Sequence, residues 1–328
     1  MKLLILGGTQ FVGRHLTEAA LAKGHDVALF NRGNNADIFP EIEQLEGDRN
    51  SDLSALEGRR WDAVIDTCGY FPRQLELSTK MLAGKVGHYT FISSISAYAD
   101  PTKAFQDEAA ELATLEDETV EEVKGDTYGG LKVLCEKVVE DAFPDNALII
   151  RPGLIVGPYD PTDRFTYWPK RVAAGGEVLA PGKPENAVQF IDVRDLANWT
   201  LEQIEVGQTG AFNLVSTPQQ FKFGDLVETC KTVSGSDAHF TWVDDTFLLE
   251  HEVGPWMELP LWVPGEDANF MLVSNQKALD TGLSIRPLRD TVKATLEWSQ
   301  TLPPDRERKA GLEREKETRI LAAWHKAS

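Results

Sequence analysis

The chain has 328 residues, 42% of them hydrophobic, which allows one large α/β unit with a smaller lobe and excludes general disorder. A formal net charge of −19 opposes binding to polyanions, so neither a nucleic acid nor an anionic membrane is an expected partner. No apolar run approaches the roughly 18 residues that span a bilayer, and no signal peptide is visible, which predicts a cytoplasmic protein.

The first half of the sequence alternates short apolar runs with amphipathic segments. Segments 13–24 and 73–84 are predicted helices that end at glycines. Such alternation predicts right-handed crossovers and a Rossmann-like, doubly wound parallel sheet. The predicted strands are KLLIL at 2–6, VALFN at 27–31, DAVIDT at 62–67, HYTFISS at 88–94 and ALIIRP at 147–152.

The pattern changes after the fourth predicted strand. Residues 100–126 are strongly acidic, and we expect a mobile or partly helical surface segment near the site. From about residue 153 proline and tryptophan become frequent, which predicts a smaller C-terminal α/β substrate lobe. Two later strands, QFID at 189–192 and GAFNLV at 210–215, are expected to return to the first sheet.

These patterns predict three parts of the chain. A dinucleotide-binding domain comprises 1–152 with returning segments near 187–215, and the substrate lobe lies mainly in 153–302. A charged tail at 303–328 is helical by propensity. The tail residues expected to dock one face are Leu312, Ile320, Leu321 and Trp324.

The stretch GGTQFVG, residues 7–13, lies between the first predicted strand and the first predicted helix. Backbone N–H groups and the helix dipole at such a turn attract a pyrophosphate. Gly7 allows the sharp turn, and Gly13 lets the helix approach the sheet. Gln10 stands where a second glycine is usual, but its uncharged amide can donate a hydrogen bond. The turn alone is a weak signal.

The end of the second strand bears on the choice of cofactor. NAD enzymes generally place an acidic residue there to hold the ribose 2′-hydroxyl, and this chain has Asn31 followed by Arg32. A guanidinium without a carboxylate suits a 2′-phosphate, which favours NADP(H), with NAD(H) as the alternative. Asp48 ends the next strand and is a candidate for the adenine amino group.

The stretch DTYGGLKVLCEKVVEDAF carries the predicted chemistry. Tyr128 and Lys132 are four residues apart and share one helix face. A nearby ammonium is expected to lower the pKa of the tyrosine and make it a general acid/base. Ser93, Ser94 and Ser96 at the end of FISSIS offer a second donor to the same substrate oxygen.

In this order, GGTQFVG, FISSISAY, YGGLK, RPGLIVGP and FIDVRDLA resemble the extended short-chain dehydrogenase/reductase family, in its epimerase/dehydratase branch. The resemblance implies that Tyr128 is the acid/base, that Lys132 binds the nicotinamide ribose, and that Ser94 orients the substrate oxygen. Hydride then moves between substrate carbon and nicotinamide. With the residues above, the expected cofactor contacts are Gly7, Thr9, Gln10, Phe11, Val12, Gly13, Asn31, Arg32, Asp48, Thr67, Ser93, Arg151 and Pro152.

Three positions depart from the family pattern. The turn with Gln10 resembles a subgroup with GGT-x-F-V-G-type turns that includes chloroplast stem-loop RNA-binding proteins, which makes RNA binding a rival function. Leu154 and Val188 stand where sugar-nucleotide epimerases usually carry Asn and Arg for the diphosphate. A nucleoside-diphosphate sugar is therefore a less favoured substrate than the family alone implies.

The sequence predicts an NAD(P)-dependent oxidoreductase or epimerase/dehydratase acting on a small organic or sugar-like molecule. The alternatives are an NADP(H)-binding sensor with vestigial catalysis and the RNA-binding relative. Family resemblance also suggests a homodimer. Candidate substrate contacts are Tyr70, Tyr98, Arg164 and Tyr167.

The cysteines and histidines give no metal signal. The three cysteines are widely spaced without a CxxC pair, and the six histidines form no HxH or HExxH pattern. Neither a metal site nor a disulfide is expected.

Overall fold

The computed structural model describes residues 1–327, apart from the side chain of Ala36, and is an α/β fold built on a parallel sheet. The strands in this part of the chain are β1 (Lys2–Leu6), β2 (Asp26–Asn31), β3 (Glu43–Glu46), β4 (Trp61–Asp66), β5 (Val86–Ile92), β6 (Ala147–Pro152), β7 (Ile155–Val156), β8 (Glu177–Pro181), β9 (Ala187–Val188), β10 (Ile191–Asp192), β11 (Gly210–Leu214), β12 (Phe221–Lys222) and β13 (His239–Val243).

The helices surround this sheet and build the second lobe. They are α1 (Phe11–Ala22), α2 (Pro72–Leu82), α3 (Tyr128–Ala142), α4 (Tyr167–Ala173), α5 (Val193–Glu205), α6 (Phe223–Ser234), α7 (Asp245–Glu250), α8 (Gln276–Asp280), α9 (Leu288–Ser299) and α10 (Arg314–Ala327). No helix within residues 1–327 has both the length and the apolar character needed to cross a membrane.

The central sheet has the strand order β11-β6-β5-β4-β1-β2-β3, and all of its strands are parallel. Side chains of β1 alternate between two apolar cores, with Leu3 and Ile5 on the side of α1 and α5. Leu4 and Leu6 face the side of α2 and α3. Both faces are covered, which is why the strands are almost continuously apolar. The predicted Rossmann-like, doubly wound sheet is confirmed.

One of the two returning strands was predicted wrongly. Strand β11 does join the main sheet, because it pairs with β6 along Gly210–Leu214. Strand β10 instead pairs with β7 in a separate two-stranded sheet. The physical reason is that β11 already occupies the edge of β6, so the QFID segment cannot join the sheet there, and its β10 residues pair with β7 instead.

The acidic segment 100–126 has neither α-helix nor 3₁₀-helix, so the expectation of partial helix is wrong. The Asp100 and Asp117 carboxylates accept backbone N–H bonds from Thr102 and Thr119, at 3.0 and 2.9 Å. Such local side-chain bonds compete with helix formation. Glu108 bonds the backbone of β11, which anchors the segment to the sheet edge.

The second lobe has its own apolar core. Strands β8 and β13 pair in parallel, and α4 and α6 pack against each other around Trp168 and Phe223. The tail packs onto this core, as predicted: Leu312, Ile320 and Leu321 are buried in it, and Trp324 packs against it. The predicted three-part division at 152 and 302 stays a prediction.

Candidate active site

A cavity of about 1020 Å³ opens where the carboxyl ends of β1, β4, β5 and β6 meet. It extends from the start of α1 past Tyr128 to the loops around Pro255 and Phe270. The order of the strands reverses at β1, which lies between β2 and β4. Ligands of open α/β sheets bind at such a switch point, and we call this cavity the cleft.

The glycine turn forms one end of the cleft. Gly7 and Gly8 have φ of +109° and +82°, a region that favours glycine. A Cβ on Gly13 would lie 2.4 Å from the backbone nitrogen of Gly8, so the close approach of α1 requires glycine. Gln10 precedes the helix in extended conformation, with φ −120°, and its exposed side chain makes no capping bond. The backbone at this middle position therefore does not need glycine.

The end of β2 leaves one guanidinium at the cleft without a partner. The Asn31 Oδ1 accepts from the Gly33 N–H at 2.8 Å, and its amide donates to Gln44 at 3.0 Å, so this side chain is committed to its own turn. Arg32 lines the cleft and is exposed, with no hydrogen bond or ion pair to the described residues. Asn50 donates to Asp48 from its backbone and side chain, which holds the pKa of Asp48 below its usual value.

A buried ion pair next to Asp48 was not predicted from the sequence. Arg49 donates to both oxygens of Asp66, at 2.7 and 2.8 Å, and the Tyr89 hydroxyl donates to the same carboxylate at 3.0 Å. Burial by itself would raise the pKa of Asp66, but the Arg49 guanidinium more than offsets it and keeps that pKa low. The available signal was an aspartate closing the apolar strand DAVID, since a buried charge needs a partner.

Ser94 and Tyr128 meet at the centre of the cleft. Ser94 follows β5, and Tyr128 is the first residue of α3. The Ser94 hydroxyl is close enough to the Tyr128 hydroxyl to act against the rise in its pKa. A Cβ on Gly129 would lie 2.1 Å from the carbonyl oxygen of Ser96, so glycine after the tyrosine is what lets the helix begin against this strand end.

Lys132 lies one helical turn further and is buried. Its Nζ donates to the carbonyl oxygens of Gly69 at 2.9 Å and Ile92 at 2.8 Å. Burial lowers the pKa of this ammonium to about 8. An ammonium has three N–H donors, so the protonated side chain keeps one for a ligand in the cleft.

The sequence predicts that the pKa of Tyr128 is lowered, whereas the structure gives a raised pKa. Burial raises the pKa of Tyr128 above its ordinary value, and the groups that oppose this rise are the Ser94 hydroxyl and the Arg164 guanidinium. Lys132 is not among the main groups that act on this pKa, and its ammonium donates to two backbone carbonyls.

Most predicted site residues line the cleft. Ser93 is among them, but its O–H donates to the buried Glu136 and is not available as a donor to a ligand. The predicted residues that line the cleft are Gly7, Thr9, Gln10, Phe11, Val12, Gly13, Asn31, Arg32, Asp48, Thr67, Tyr70, Ser93, Ser94, Tyr128, Lys132, Pro152 and Arg164.

Three predicted site residues lie in the core instead. The Arg151 guanidinium pairs with Glu136 at 2.6 Å, and the Tyr98 hydroxyl donates to Asn213 at 2.6 Å. Tyr167 is buried in the second lobe against Gly311. Among the described residues that line the cleft, none of these three appears. We therefore correct their assignment from ligand contacts to core residues. The cleft wall instead includes Trp256 and Phe270, from a tryptophan-rich stretch and a 3₁₀ segment that carried no specific motif.

A family model decides the classification. The chain matches the NAD dependent epimerase/dehydratase family over residues 3–71 and 71–214. It belongs to this family. The match confirms the predicted family.

Curated relatives of this family member are diverse. The chloroplast stem-loop binding protein of 41 kDa b from Arabidopsis thaliana is 27% identical over 262 residues, covering 71% of this chain and 63% of that protein. The chain thus spans less than two thirds of that relative. A dTDP-4-dehydro-6-deoxy-D-allose reductase from Streptomyces is 25% identical over 251 residues, covering 66% of this chain and 76% of the reductase.

Solved structures of epimerases share the fold. A putative epimerase from Burkholderia cenocepacia superposes with a TM-score of 0.69 at 19% identity, covering 92% of this chain and 98% of that one. UDP-glucuronic acid 4-epimerase from Bacillus cereus, in complex with NAD, gives a TM-score of 0.66 at 16% identity, covering 92% and 99%.

Proposed function

We propose that this chain is an NAD(P)-dependent oxidoreductase or epimerase/dehydratase that acts at a carbinol or carbonyl carbon of a small organic or sugar-like substrate. The observation that carries the proposal is that Ser94, Tyr128 and Lys132 line one cleft, which begins at the glycine turn. These residue types in one cleft suit proton transfer beside a hydride carrier.

The donors of the cleft fit a nicotinamide dinucleotide. The first turn of α1 offers backbone N–H groups without intrahelical acceptors and contains no acidic residue, which suits a pyrophosphate. Lys132 has one N–H left for a ribose hydroxyl. When bound, the nicotinamide supplies or accepts the hydride.

The side chains of this chain handle the substrate proton. Ser94 and Tyr128 bind the substrate oxygen between two hydroxyls, and Tyr128 gives or takes the proton. Because Tyr128 is the first residue of α3, the positive end of the helix dipole stabilises its phenolate. Leu154 lines the cleft and Val188 is buried, so neither position offers a donor to a substrate diphosphate.

We further propose that the chain prefers NADP(H) to NAD(H), through Arg32. The test is calorimetric titration of the nucleotide-free protein with NADP, NADPH, NAD and NADH. We expect micromolar binding of the phosphorylated pair, lost in Arg32→Gln and kept in Arg60→Gln, which removes an exposed charge at the amino end of β4, away from the cleft. If none of the four nucleotides binds, the proposed function is wrong, and RNA is the next ligand to test.

The catalytic assignment predicts that Tyr128→Phe abolishes turnover and leaves nucleotide affinity within twofold. Removal of one hydroxyl deletes the proton donor but not the donors to the cofactor. Turnover is measured with NADP and NADPH over a panel of alcohols and carbonyl compounds. Equal turnover in the variant would remove Tyr128 from the mechanism, and nucleotide binding without turnover in the wild type would favour the sensor.

A further inference from the structure

The charge of the cleft is opposite to that of the whole protein. The chain carries −19, yet four basic and two acidic side chains line the cleft. Three of the basic groups have a function or a partner: Arg32 in the proposed cofactor site, Arg49 on Asp66, and Lys132 on two carbonyls. Arg164 is the remaining one.

Two consecutive hydrogen bonds orient the side chain of Arg164. Its Nε donates to the Thr162 hydroxyl at 3.1 Å, and that hydroxyl donates to the buried Asp160 carboxylate at 2.7 Å. The indole ring of Trp256 lies 5.7 Å from the guanidinium carbon. No carboxylate among the described residues lies within ion-pair distance of Arg164, so its terminal N–H groups have no anionic partner.

We propose that Arg164 binds an anionic group of the substrate, a carboxylate or a phosphate monoester, at the end of the cleft lined by Trp256, and that Thr162 positions its guanidinium. This inference rests on the proposed function, since it names the substrate class of the same site. A planar guanidinium held at Nε presents its other donors as a fork that matches two oxygens of such an anion.

Two further observations support this assignment. The positive charge of Arg164 is near enough to Tyr128 to lower its pKa, so an anion on Arg164 would lie close to the reacting oxygen. Burial lowers the pKa of Arg164 below its usual value, as expected for a desolvated cation that has no carboxylate in ion-pair contact among the described residues. A bound anion would offset that desolvation.

The test compares matched anionic and neutral compounds. The full chain, saturated with NADP, is titrated by calorimetry with phenylpyruvate against phenylacetone, and with glucose 6-phosphate against glucose. We expect the anionic member of at least one pair to bind tenfold or more tightly than its neutral partner. The preferred pair distinguishes a carboxylate substrate from a phosphate substrate.

The variants isolate the guanidinium. Arg164→Gln should abolish the preference for the anionic compound. Thr162→Val should reduce this preference while the charge of Arg164 is kept, so the test does not depend on correct folding of the first variant alone. Lys170→Gln, which removes an exposed charge of α4 outside the cleft, should leave it unchanged. Equal binding within both pairs, or a preference that survives Arg164→Gln, would overturn the inference. Failure of NADP itself to bind would instead refute the proposed function.

Discussion

The protonation of Lys132 sets how many hydrogen bonds the cleft can offer. Two of its donors are used by backbone carbonyls, so the neutral amine has none left for a ligand. Its pKa in the folded protein is about 8, against 10.5 in its ordinary state. The folded protein therefore loses this proton earlier than the unfolded chain does.

Two opposite pH effects follow from this shift. Nucleotide affinity should fall roughly tenfold as pH rises through about 8, because one charge-assisted bond is lost. The contribution of Lys132 to stability should instead improve between pH 8 and 10.5, where the unfolded chain binds the extra proton. Calorimetry and urea unfolding at several pH values measure both.

The control for this prediction lies on the same helix. Lys132→Met should remove both pH effects, whereas Lys137→Met, at an exposed position of α3, should keep them. If the wild type binds nucleotide equally at pH 7 and above pH 9, to within about twofold, Lys132 makes no bond to the cofactor.

Individual residues were predictable where a motif fixes their spacing. Ser94, Tyr128 and Lys132 were found because a strand that ends in serines and a helix that begins with tyrosine can be recognised from neighbouring residues alone. The partners of Arg49 and Arg151 were not found, because each is a carboxylate on another element, in strand β4 and helix α3. Polar residues near strand ends look alike in sequence, and only the fold separates Tyr70 at the cleft from Tyr98 in the core.

Helix α3 is fixed to two strands through one buried carboxylate. Glu136 accepts from the Arg151 guanidinium of β6 at 3.0 and 2.6 Å and from the Ser93 hydroxyl after β5. Both ionic side chains are at most 4% exposed. This contact sets the position of the helix that carries Tyr128 and Lys132.

Glu136→Gln should therefore cost about 3 kcal/mol or more of unfolding free energy, since it leaves Arg151 charged and unpaired in the core. The exposed pair of Arg59 and Glu43 gives the matched control, because Glu43→Gln should cost less than about 1 kcal/mol. Urea unfolding of both variants measures the difference. A similar, small cost in both would mean that the buried pair does not hold the helix.

Whole elements were predictable where apolar runs dominate. The strands from β1 to β6 follow continuous hydrophobic stretches, with the exception of β3, whose sequence EQLE has a single apolar residue. Hydrophobic pattern could not place β10, because its partner depends on which strand already occupies the edge of β6. It also failed for segment 100–126, where aspartate turns replace a helix.

The last helix is part of the second lobe. Glu317 of α10 is buried and accepts from Arg171 of α4 at 2.8 Å and from the backbone of Leu179 in β8 at 3.0 Å. Arg306 and the Lys309 backbone also bond Asp163, next to Arg164 in the chain. The tail thus supports the loop that we assign to substrate binding.

Glu317→Ala should lower the thermal midpoint of the second lobe, with a cost of about 3–5 kcal/mol, because Arg171 stays buried without an anionic partner. Nucleotide affinity should not change, since the glycine turn and Lys132 lie in the other part of the chain. Glu315→Ala, at an exposed position of the same helix, is the control and should be near neutral. Calorimetric unfolding with and without NADP measures both. Loss of nucleotide affinity in Glu317→Ala alone would mean that the two parts are coupled.

The strand order also has a consequence for synthesis on the ribosome. Strands β1 to β6 are all made by residue 152, but β11, which covers the outer edge of β6, ends only at residue 214. During the interval the nascent sheet presents the unpaired backbone of ALIIRP, which is apolar except for Arg151 and is buried throughout in the folded protein. An exposed apolar edge invites pairing with other chains, so aggregation is most probable while residues 153–214 emerge. Ribosome-bound chains arrested when β6 but not β11 has emerged from the exit tunnel should therefore recruit chaperones more strongly than chains arrested after β11 has emerged.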